Sequence, residues 1–454
     1  MKIYHVSDIH LGRKRLDGRL PDQDFVTAFR FIAKVAVQDK ADIFLITGDL
    51  FDRPQVEPAQ LQQAQVTLHF LKARGVRVIA VEGNHDKAFF HSNEQTWMQF
   101  LADEDLLIFL RPRFNAEGAV LEQLDSGTRS GTWVDIGGVR FIGAGYLGAA
   151  TPAKVRQILD RLESGLPNVL LLHAGPEYFV GEGGGFSKDD LRAIEEKVCY
   201  LALGHIHKPM HHGDWACNPG SPENCELHEA AYEKDKNDAK VPRGYAVVEI
   251  DPTKPAKPLS IEVRSNPRRP VHRILLDCTP FGNKTKNGAE ALIDAAVNAI
   301  NQIKPANDAV IDLQLTGKLN LNRIALDQSL AATQIGSAAG VFAVALDTTH
   351  LNVGAGFATA GSVDIAGISR DQLERDAIRS LINDGNVWGL ETERKNISDL
   401  FYDLKEAVRV KRTAEEIADQ IATNPLVEAI RIAKSESGSA QPVVADESHE
   451  EPAS

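Results

Sequence analysis

The chain has 454 residues, of which 43% are hydrophobic and 25% are charged. This length exceeds one ordinary hydrophobic core, so we expect a large domain with additions. The formal net charge of −13 argues against unaided binding to nucleic acids, because that affinity comes mainly from Lys and Arg neutralising phosphates. It does not exclude a phosphate substrate, since bound divalent cations would offset the carboxylates of a site.

The sequence offers no sign of a membrane segment or of disulfides. No apolar run approaches the ~20 residues that cross a bilayer, and the opening MKIYHVSD lacks the apolar region of a signal peptide. We therefore expect a cytoplasmic protein without a membrane partner, and free thiols at its four cysteines. Cys217 and Cys225 stand near His211, His212 and His228, but their spacing matches no common zinc pattern, so a structural zinc site is the less favoured interpretation.

The first 250 residues alternate short apolar strands with helical stretches, which predicts a layered α/β domain. The predicted helices are 25–38 and 59–73. The predicted strands are 2–6, 41–47, 76–81, 139–144, 168–172, 198–203 and 245–250.

Residues 270–352 read as a compact βαβαβ unit, small enough to be an accessory domain. Its predicted elements are strand 272–277, helix 289–302, strand 309–316, helix 321–332 and strand 340–347. Residues 351–368 are rich in Gly and Ala and are predicted to be a connector.

The C-terminal part is predicted to be helical. Ser369-x-x-Gln372 and Thr413-x-x-Glu416 are capping-box patterns. Between them runs an apolar stripe that either packs on its own protein or binds a partner. Its members are Ile397, Leu400, Phe401, Leu404 and Val408. The predicted boundaries are 1–268 for the large domain, 269–352 for the accessory domain, 353–433 for connector and helices, and 434–454 for a disordered acidic tail.

Five short segments place polar side chains directly after an apolar strand. They are Asp8-Ile9-His10, Gly48-Asp49, Gly83-Asn84-His85-Asp86, His173-Ala174-Gly175 and Gly204-His205-Ile206-His207. In open α/β sheets the crevice beyond the carboxyl ends of the strands binds ligands. Residues i and i+2 of an extended chain point the same way, so Asp8 with His10, and His205 with His207, can face one site.

Mixed imidazole and carboxylate side chains suit manganese, iron or zinc better than calcium or magnesium. A carboxylate such as Asp49 can bridge two cations ~3.5–4 Å apart. Any single histidine of the set, taken alone, is more simply explained as a hydrogen-bonded structural residue than as a metal ligand. The five segments together favour metals, because so many buried Asp and His groups would be costly without them.

The set DIH, GDLFD, GNHD, LHAG and GHIH resembles the calcineurin-type metallophosphoesterase superfamily. The resemblance implies a layered β-sandwich flanked by helices, and phosphoester hydrolysis by a hydroxide that bridges two metals. It also implies that His85 faces the scissile phosphate and that Asp86 orients His85. The implied ligands are Asp8, His10, Asp49 and His207 for one metal, and Asp49, Asn84, His173 and His205 for the other.

SDIHLG, and GHIHKP followed by NPGSPE, resemble the SbcD/Mre family of DNA-repair nucleases. The βαβαβ unit resembles its capping domain, although PGSPENCEL is not that family's commonest version. This resemblance implies manganese-dependent exonuclease action on DNA ends and endonuclease cutting of single strands or hairpins, and the donor set leaves iron or zinc open as the metal. It further implies a homodimer whose C-terminal helices dock on an SMC-like coiled-coil ATPase of the SbcC type.

Two other functions stay open at this point: a phosphodiesterase or phosphatase acting on small phosphoesters or nucleotides, and a scaffold subunit that holds DNA or an ATPase without cutting. Arg13, Lys14 and Arg15 follow the first metal motif directly. They form either a clamp on the DNA backbone or a solvated loop.

Overall fold

The computed structural model describes residues 1–16, 20–87, 96–127, 129, 131–162, 165–181, 184–234, 240–254, 256–280, 288–319, 328–353, 394–409, 414–424 and 427. The chain divides into two compact units, Met1–Gly317 with Ile324–Leu351, and Lys318–Arg323 with Asn352–Ser454.

The first sheet of the first unit has six strands, and its middle is parallel. In sheet order the strands are β14 (Ser260–Ser265), β13 (Gly244–Glu249), β1 (Lys2–Val6), β2 (Ile43–Thr47), β3 (Arg77–Val81) and β4 (Ile108–Phe109). β1 pairs in parallel with β2 and β2 with β3, whereas β13 runs antiparallel to β1.

The second sheet also has six strands. In sheet order they are β11 (Met210–His212), β12 (Ala216–Asn218), β10 (Tyr200–Leu203), β9 (Asn168–Leu172), β8 (Val139–Gly145) and β7 (Trp133–Ile136). Its centre is parallel, because β9 pairs in parallel with both β8 and β10. A separate hairpin joins β5 (Arg113–Asn115) and β6 (Gly118–Val120).

Successive side chains of β2 point to opposite faces of the first sheet, and their contacts show how the two sheets pack. Ile43 and Leu45 belong to an apolar cluster shared with Phe141 and Leu171 of the second sheet. Phe44 and Ile46, which point the opposite way, belong to a cluster shared with the helices that cover the first sheet. A strand buried on both faces must be apolar throughout, and for this reason its sequence reads IFLIT without a polar residue until Thr47.

Helices cover the outer faces of this sandwich. The predicted helices 25–38 and 59–73 correspond to α1 (Gln23–Gln38) and α2 (Pro58–Lys72). Glu57 and Gln60 form a capping box at the start of α2. The shorter helices are α3 (Trp97–Asp103), α4 (Thr151–Asp160), α5 (Glu177–Val180) and α6 (Lys188–Glu195). The layered α/β sandwich predicted from the sequence is confirmed.

The βαβαβ pattern is also present, with β15 and β17 each parallel to β16. Its elements are β15 (Val271–Asp277), α7 (Gly288–Ile303), β16 (Val310–Leu319), α8 (Gln328–Ala339) and β17 (Ala343–Asp347). The predicted end of the second helix at 332 is wrong, because the alanine-rich run continues to Ala339 and stops before Gly340, whose φ is +67°. Residues 351–353, predicted to open a connector, form strand β18 (Leu351–Val353). The boundary at 268/269 stays a prediction.

In the second unit the structure describes two helices that contact each other, α9 (Arg394–Arg409) and α10 (Ala414–Ala422). Within the apolar stripe of α9, Ile397 is buried while the Phe401 side chain is 58% exposed. The Ser369 and Thr413 caps, most of the predicted connector and the predicted tail lie outside the described residues. Among the described helices, none has the length and apolar character to span a membrane.

Candidate metal centre

Loops that leave the carboxyl ends of neighbouring strands bring the predicted ligands together. In the first sheet the loops after β1, β2 and β3 carry them, and in the second sheet the loops after β9 and β10 do so. Parallel strands end at the same edge of a sheet, and this edge therefore collects their side chains. The predicted ligands so collected are Asp8, His10, Asp49, Asn84, His173, His205 and His207.

Four of these side chains form a first ligand group. His10 Nε2 lies 3.2 Å from His207 Nε2 and 3.7 Å from Asp49 Oδ2. His207 Nε2 lies 3.8 Å from Asp8 Oδ1. Asp8, His10 and Asp49 are buried, whereas the His207 side chain is 24% exposed. The first group is thus open to solvent on the side of His207.

A second ligand group lies beside the first. Asn84 Oδ1 is 3.1 Å from His173 Nε2 and 3.0 Å from His205 Nδ1. His173 Nε2 is also 3.1 Å from Asp49 Oδ2. The same carboxylate oxygen of Asp49 therefore faces an imidazole of each group.

The distances within both groups suit divalent cations. Two nitrogen or oxygen ligands at ~2.1 Å from one ion lie at most ~4.2 Å apart, and the separations above are all shorter than this. The donor set contains four imidazoles, two carboxylates and one amide, which is a mixture that first-row divalent metals accept. These residues consequently suit divalent cations, and the Asp49 carboxylate lies between the two ligand groups.

Several ligand residues have a left-handed backbone, which residues with a side chain seldom adopt. Asp8, His10, Asp49 and His205 have φ of 55°, 50°, 52° and 82°. Hydrogen bonds hold the first loop in this shape: Asp8 N donates to Gly48 O at 3.1 Å and His10 N to Asp49 O at 3.0 Å. Such strain concentrates at functional sites, where the surrounding fold maintains it.

Two glycines are required by the close approach of the ligands. A Cβ at Gly48 would stand 2.2 Å from His173 Nδ1, and one at Gly83 would stand 2.0 Å from Asp49 Oδ1. No side chain can occupy either position without displacing a ligand. The glycines before Asp49 and Asn84 are therefore part of the site's geometry.

Burial and neighbouring charges shift the pKa values of the ligand side chains. Burial lowers the pKa of His173, but the Asp49 carboxylate outweighs this effect and raises that pKa to about 9. Burial raises the pKa of Asp49, yet the charge of His173 brings it well below its usual value. Burial, together with the charge of His173, lowers the pKa of His205 to about 4. The carboxylate of Asp49 is therefore the main influence that opposes burial at His173.

Residues 1–209 match the family model of the calcineurin-like phosphoesterases. These residues form a calcineurin-like phosphoesterase domain. The superfamily recognised in the sequence is thereby confirmed.

The relatives of this chain include archaeal proteins described as DNA double-strand break repair protein Mre11. The one from Archaeoglobus fulgidus is 30% identical over 235 residues, which cover 51% of this chain and 52% of the relative. The one from Aeropyrum pernix is 26% identical over 307 residues, which cover 62% of this chain and 65% of the relative. The chain thus spans between about half and two thirds of their lengths. These relatives agree with the Mre-type resemblance.

Among solved structures, that of the protein TT1561 from Thermus thermophilus aligns with 48% of this chain and 89% of its own length. The sequence identity is 13% and the TM-score is 0.32. This similarity is too weak to add to the sequence match.

His85 of the phosphoesterase domain is held by a backbone carbonyl. Its Nδ1 donates to Asp52 O at 2.7 Å. Asp86, expected to orient His85, instead accepts from Phe51 N and Gly83 N, each at 3.0 Å. The expected role of Asp86 is thus corrected: it ties the loop after β2 to the loop after β3. Burial and the charge of Asp49 raise the pKa of Asp86 to about 7.

Asp52 is a residue of the site that the sequence analysis did not select. Its Oδ1 lies 3.3 Å from His10 Nδ1 and 3.2 Å from Arg13 Nη1. Burial raises the pKa of Asp52, but His10 and Arg13 outweigh this effect and lower it. Asp52 is the last residue of GDLFD, so the motif itself contained the signal. We infer that it positions the imidazole of His10 as a partner beyond the ligands.

Glu229 is the second such residue, and it positions His207. Its Oε1 accepts a hydrogen bond from His207 Nδ1 at 2.7 Å, which leaves His207 Nε2 with its lone pair facing the ligand group. Glu229 lies 22 residues beyond His207, in a 3-10 helix at Leu227–Glu233. No local sequence pattern predicts this role of Glu229, because only the tertiary fold brings the residue to the site.

We expect Glu229→Ala to weaken binding of one cation, since His207 would lose its orientation. Loss of such a partner typically costs about 10–100-fold in metal affinity. Isothermal titration calorimetry with manganese or zinc measures the effect. Glu226→Ala is the matched control, because that nearby side chain is 57% exposed and pairs with Arg13. Equal affinities of Glu229→Ala and the wild type for both cations would refute this role.

The three basic residues after the first motif differ in their surroundings. The Arg15 side chain is 6% exposed and pairs with Asp24 at 2.9 Å and Glu223 at 3.2 Å. The prediction of a DNA contact is therefore wrong for Arg15, whose charge is already neutralised inside the domain. Arg13 is 25% exposed and faces Asp52. Lys14 is exposed, and its contact with DNA stays a prediction.

The four cysteines are free, as the sequence predicted, and the structure shows that all four are buried. Cys217 belongs to the apolar cluster between the sheets. Cys225 lies beside His10 and His207. These two cysteines therefore occupy different surroundings.

Proposed function

We propose that this chain is a DNA-repair nuclease of the SbcD/Mre type that hydrolyses phosphodiester bonds at DNA ends with two divalent metal ions. Manganese is favoured over iron and zinc. The observation that carries the proposal is the position of Asp49 Oδ2, 3.7 Å from His10 Nε2 and 3.1 Å from His173 Nε2. One carboxylate between two ligand groups is what a two-metal site requires.

The contacts within the site indicate which functions the cations would perform and which the protein's own residues perform. When bound, the cations would provide a nucleophile from water at neutral pH and stabilise charge on the phosphoryl oxygens. The chain positions its imidazoles through Asp52, Glu229 and the carbonyl of Thr47, which is 2.7 Å from His173 Nδ1. These contacts hold the ligands before a substrate arrives.

His85 is suited to act on the substrate. A carbonyl oxygen can only accept a hydrogen bond, so the bond to Asp52 O places a proton on His85 Nδ1. This arrangement leaves Nε2 available either to accept a proton or, in the imidazolium, to donate one. The ring lies 4.8 Å from that of His10. We infer that His85 stabilises the phosphate's charge or protonates the leaving oxygen.

DNA as the substrate is supported by the relatives, which are described as DNA double-strand break repair proteins. The net charge of −13 makes strong unaided binding to DNA unfavourable, which fits a nuclease that works with a partner. We propose that this partner is an SMC-like coiled-coil ATPase of the SbcC type and that the nuclease is a homodimer. The exposed Phe401 on α9 offers an apolar contact for the ATPase.

The test is digestion of labelled linear duplex, hairpin and single-stranded DNA by the full chain with manganese. We expect shortening from duplex ends and opening of hairpins, and no activity in chelator. His85→Ala controls for contaminating nucleases. Hydrolysis of bis-p-nitrophenyl phosphate with all three DNA substrates intact would favour a phosphodiesterase for small substrates. If His85→Ala kept function in cells while deletion of 371–433 abolished it, the scaffold alternative would replace the proposal.

A further inference from the structure

Cys225 lies at the edge of the first ligand group, although the family resemblance assigns it no role. It follows β12 in the stretch Pro222-Glu223-Asn224-Cys225, and it is 2% exposed. Its Sγ and one ring nitrogen each of His10 and His207 all lie within 4.8 Å of one another. Among the described residues, this is the one candidate metal-binding group that contains a thiol.

The position of Cys225 relative to His207 is fixed by a shared partner. Glu229 accepts from Cys225 N through Oε2 at 2.8 Å and from His207 Nδ1 through Oε1 at 2.7 Å. One buried carboxylate thus holds both the loop that carries the thiol and the imidazole. The thiol is therefore held beside the ligand group by the same residue that positions His207.

The distances allow the thiol to reach a cation. Zinc binds sulfur at ~2.3 Å and imidazole nitrogen at ~2.0–2.1 Å, so the two donors lie at most ~4.4 Å apart. The present separations, all within 4.8 Å, exceed this outer limit by about 0.4 Å at most, and a tetrahedral ion would require a closer approach of Sγ.

We propose that Cys225 Sγ is an additional ligand of the cation held by His10 and His207. The proposal rests on the metal centre of the proposed function. As the bond between sulfur and metal forms, the thiol loses its proton to solvent, so the ligand is a thiolate.

A thiolate would make the two cation positions chemically different. Thiolates favour zinc, iron and cobalt over manganese, which prefers oxygen ligands. The group of Asn84, His173 and His205 has oxygen and nitrogen donors. The position at His10 and His207 would therefore bind zinc or iron better, relative to manganese, than the other position does.

The test uses the full-length protein freed of metal and titrated with Co²⁺. We expect the near-ultraviolet absorption that arises from charge transfer between thiolate and Co²⁺. Cys225→Ala and Cys225→Ser should lack it, and Cys199→Ala, which removes another buried cysteine, should retain it. In calorimetry, Cys225→Ala should lose at least about tenfold in zinc affinity and much less in manganese affinity.

The outcomes separate this proposal from the proposed function. Cobalt binding to the wild type without thiolate absorption would overturn the role of Cys225 and leave the two-metal centre intact. Failure of the wild type to bind any of the three metals would overturn both. If the Cys225 variants fail to fold, X-ray absorption of the zinc-loaded wild type decides: a sulfur neighbour at ~2.3 Å supports the proposal, and nitrogen and oxygen neighbours alone refute it.

Discussion

Asp49→Ala is expected to abolish binding of both cations. The Asp49 carboxylate faces His10 at 3.7 Å and His173 at 3.1 Å, so its removal takes a ligand from each group at once. The loss also leaves His173 without the carboxylate that raises its pKa to about 9. Calorimetric titration of the metal-free protein with manganese should show two ions bound to the wild type and none to the variant.

The control for this experiment is Asp189→Ala, which removes an aspartate whose side chain is 84% exposed. This variant should bind both ions as the wild type does. Circular dichroism should show that Asp49→Ala is folded at the temperature of the titration. An Asp49→Ala protein that still held two ions would contradict the shared carboxylate, and the proposed two-metal mechanism would fail with it.

His85→Ala is expected to keep both cations and to lose most turnover. Nδ1 of His85 is engaged by Asp52 O, and we assign its ring to neither of the two ligand groups that share Asp49. Removal of the His85 imidazole should therefore slow the reaction and leave both ligand groups able to bind cations. A positioned proton donor or acceptor typically contributes about 10²–10⁴-fold, so kcat should fall by this factor while KM changes little.

Steady-state kinetics with a labelled DNA hairpin and calorimetry on the same preparation measure both quantities for His85→Ala. His69→Ala, which changes an exposed histidine of α2, is the control and should behave as the wild type. If His85→Ala lost a cation, His85 would be a ligand and its assigned role would be wrong. Unchanged kcat would likewise exclude it from the reaction.

The grouping of the proposed ligands could be predicted from the sequence because each lies within a few residues of a strand with a clear apolar pattern. In β2 the run IFLIT identifies a strand buried on both faces, and the loop after it carries Asp49. The same logic located His173 after β9 and His205 after β10. Here the hydrophobic pattern and the polar motif are adjacent in the chain, so both are visible locally.

Partners such as Glu229 were not predictable in this way, because they come from distant parts of the chain. Glu229 reaches His207 from a 3-10 helix, and its sequence surroundings look like ordinary charged surface. Arg15 likewise appeared solvated, yet Glu223, which is 208 residues away, meets it in the interior. Burial of a charge depends on tertiary contacts, which local propensity does not encode.

The division of the ligands between two sheets has a consequence for folding. Asp8, His10, Asp49 and Asn84 follow strands of one sheet, and His173, His205 and His207 follow strands of the other. A cation bound here would link the two sheets of the sandwich at the edge where these strands end. Each ion that binds only the native chain would add about 2.7 kcal/mol of stability at a hundredfold excess over its dissociation constant. The concentration of free metal would then affect the stability of the folded protein as well as its rate of turnover.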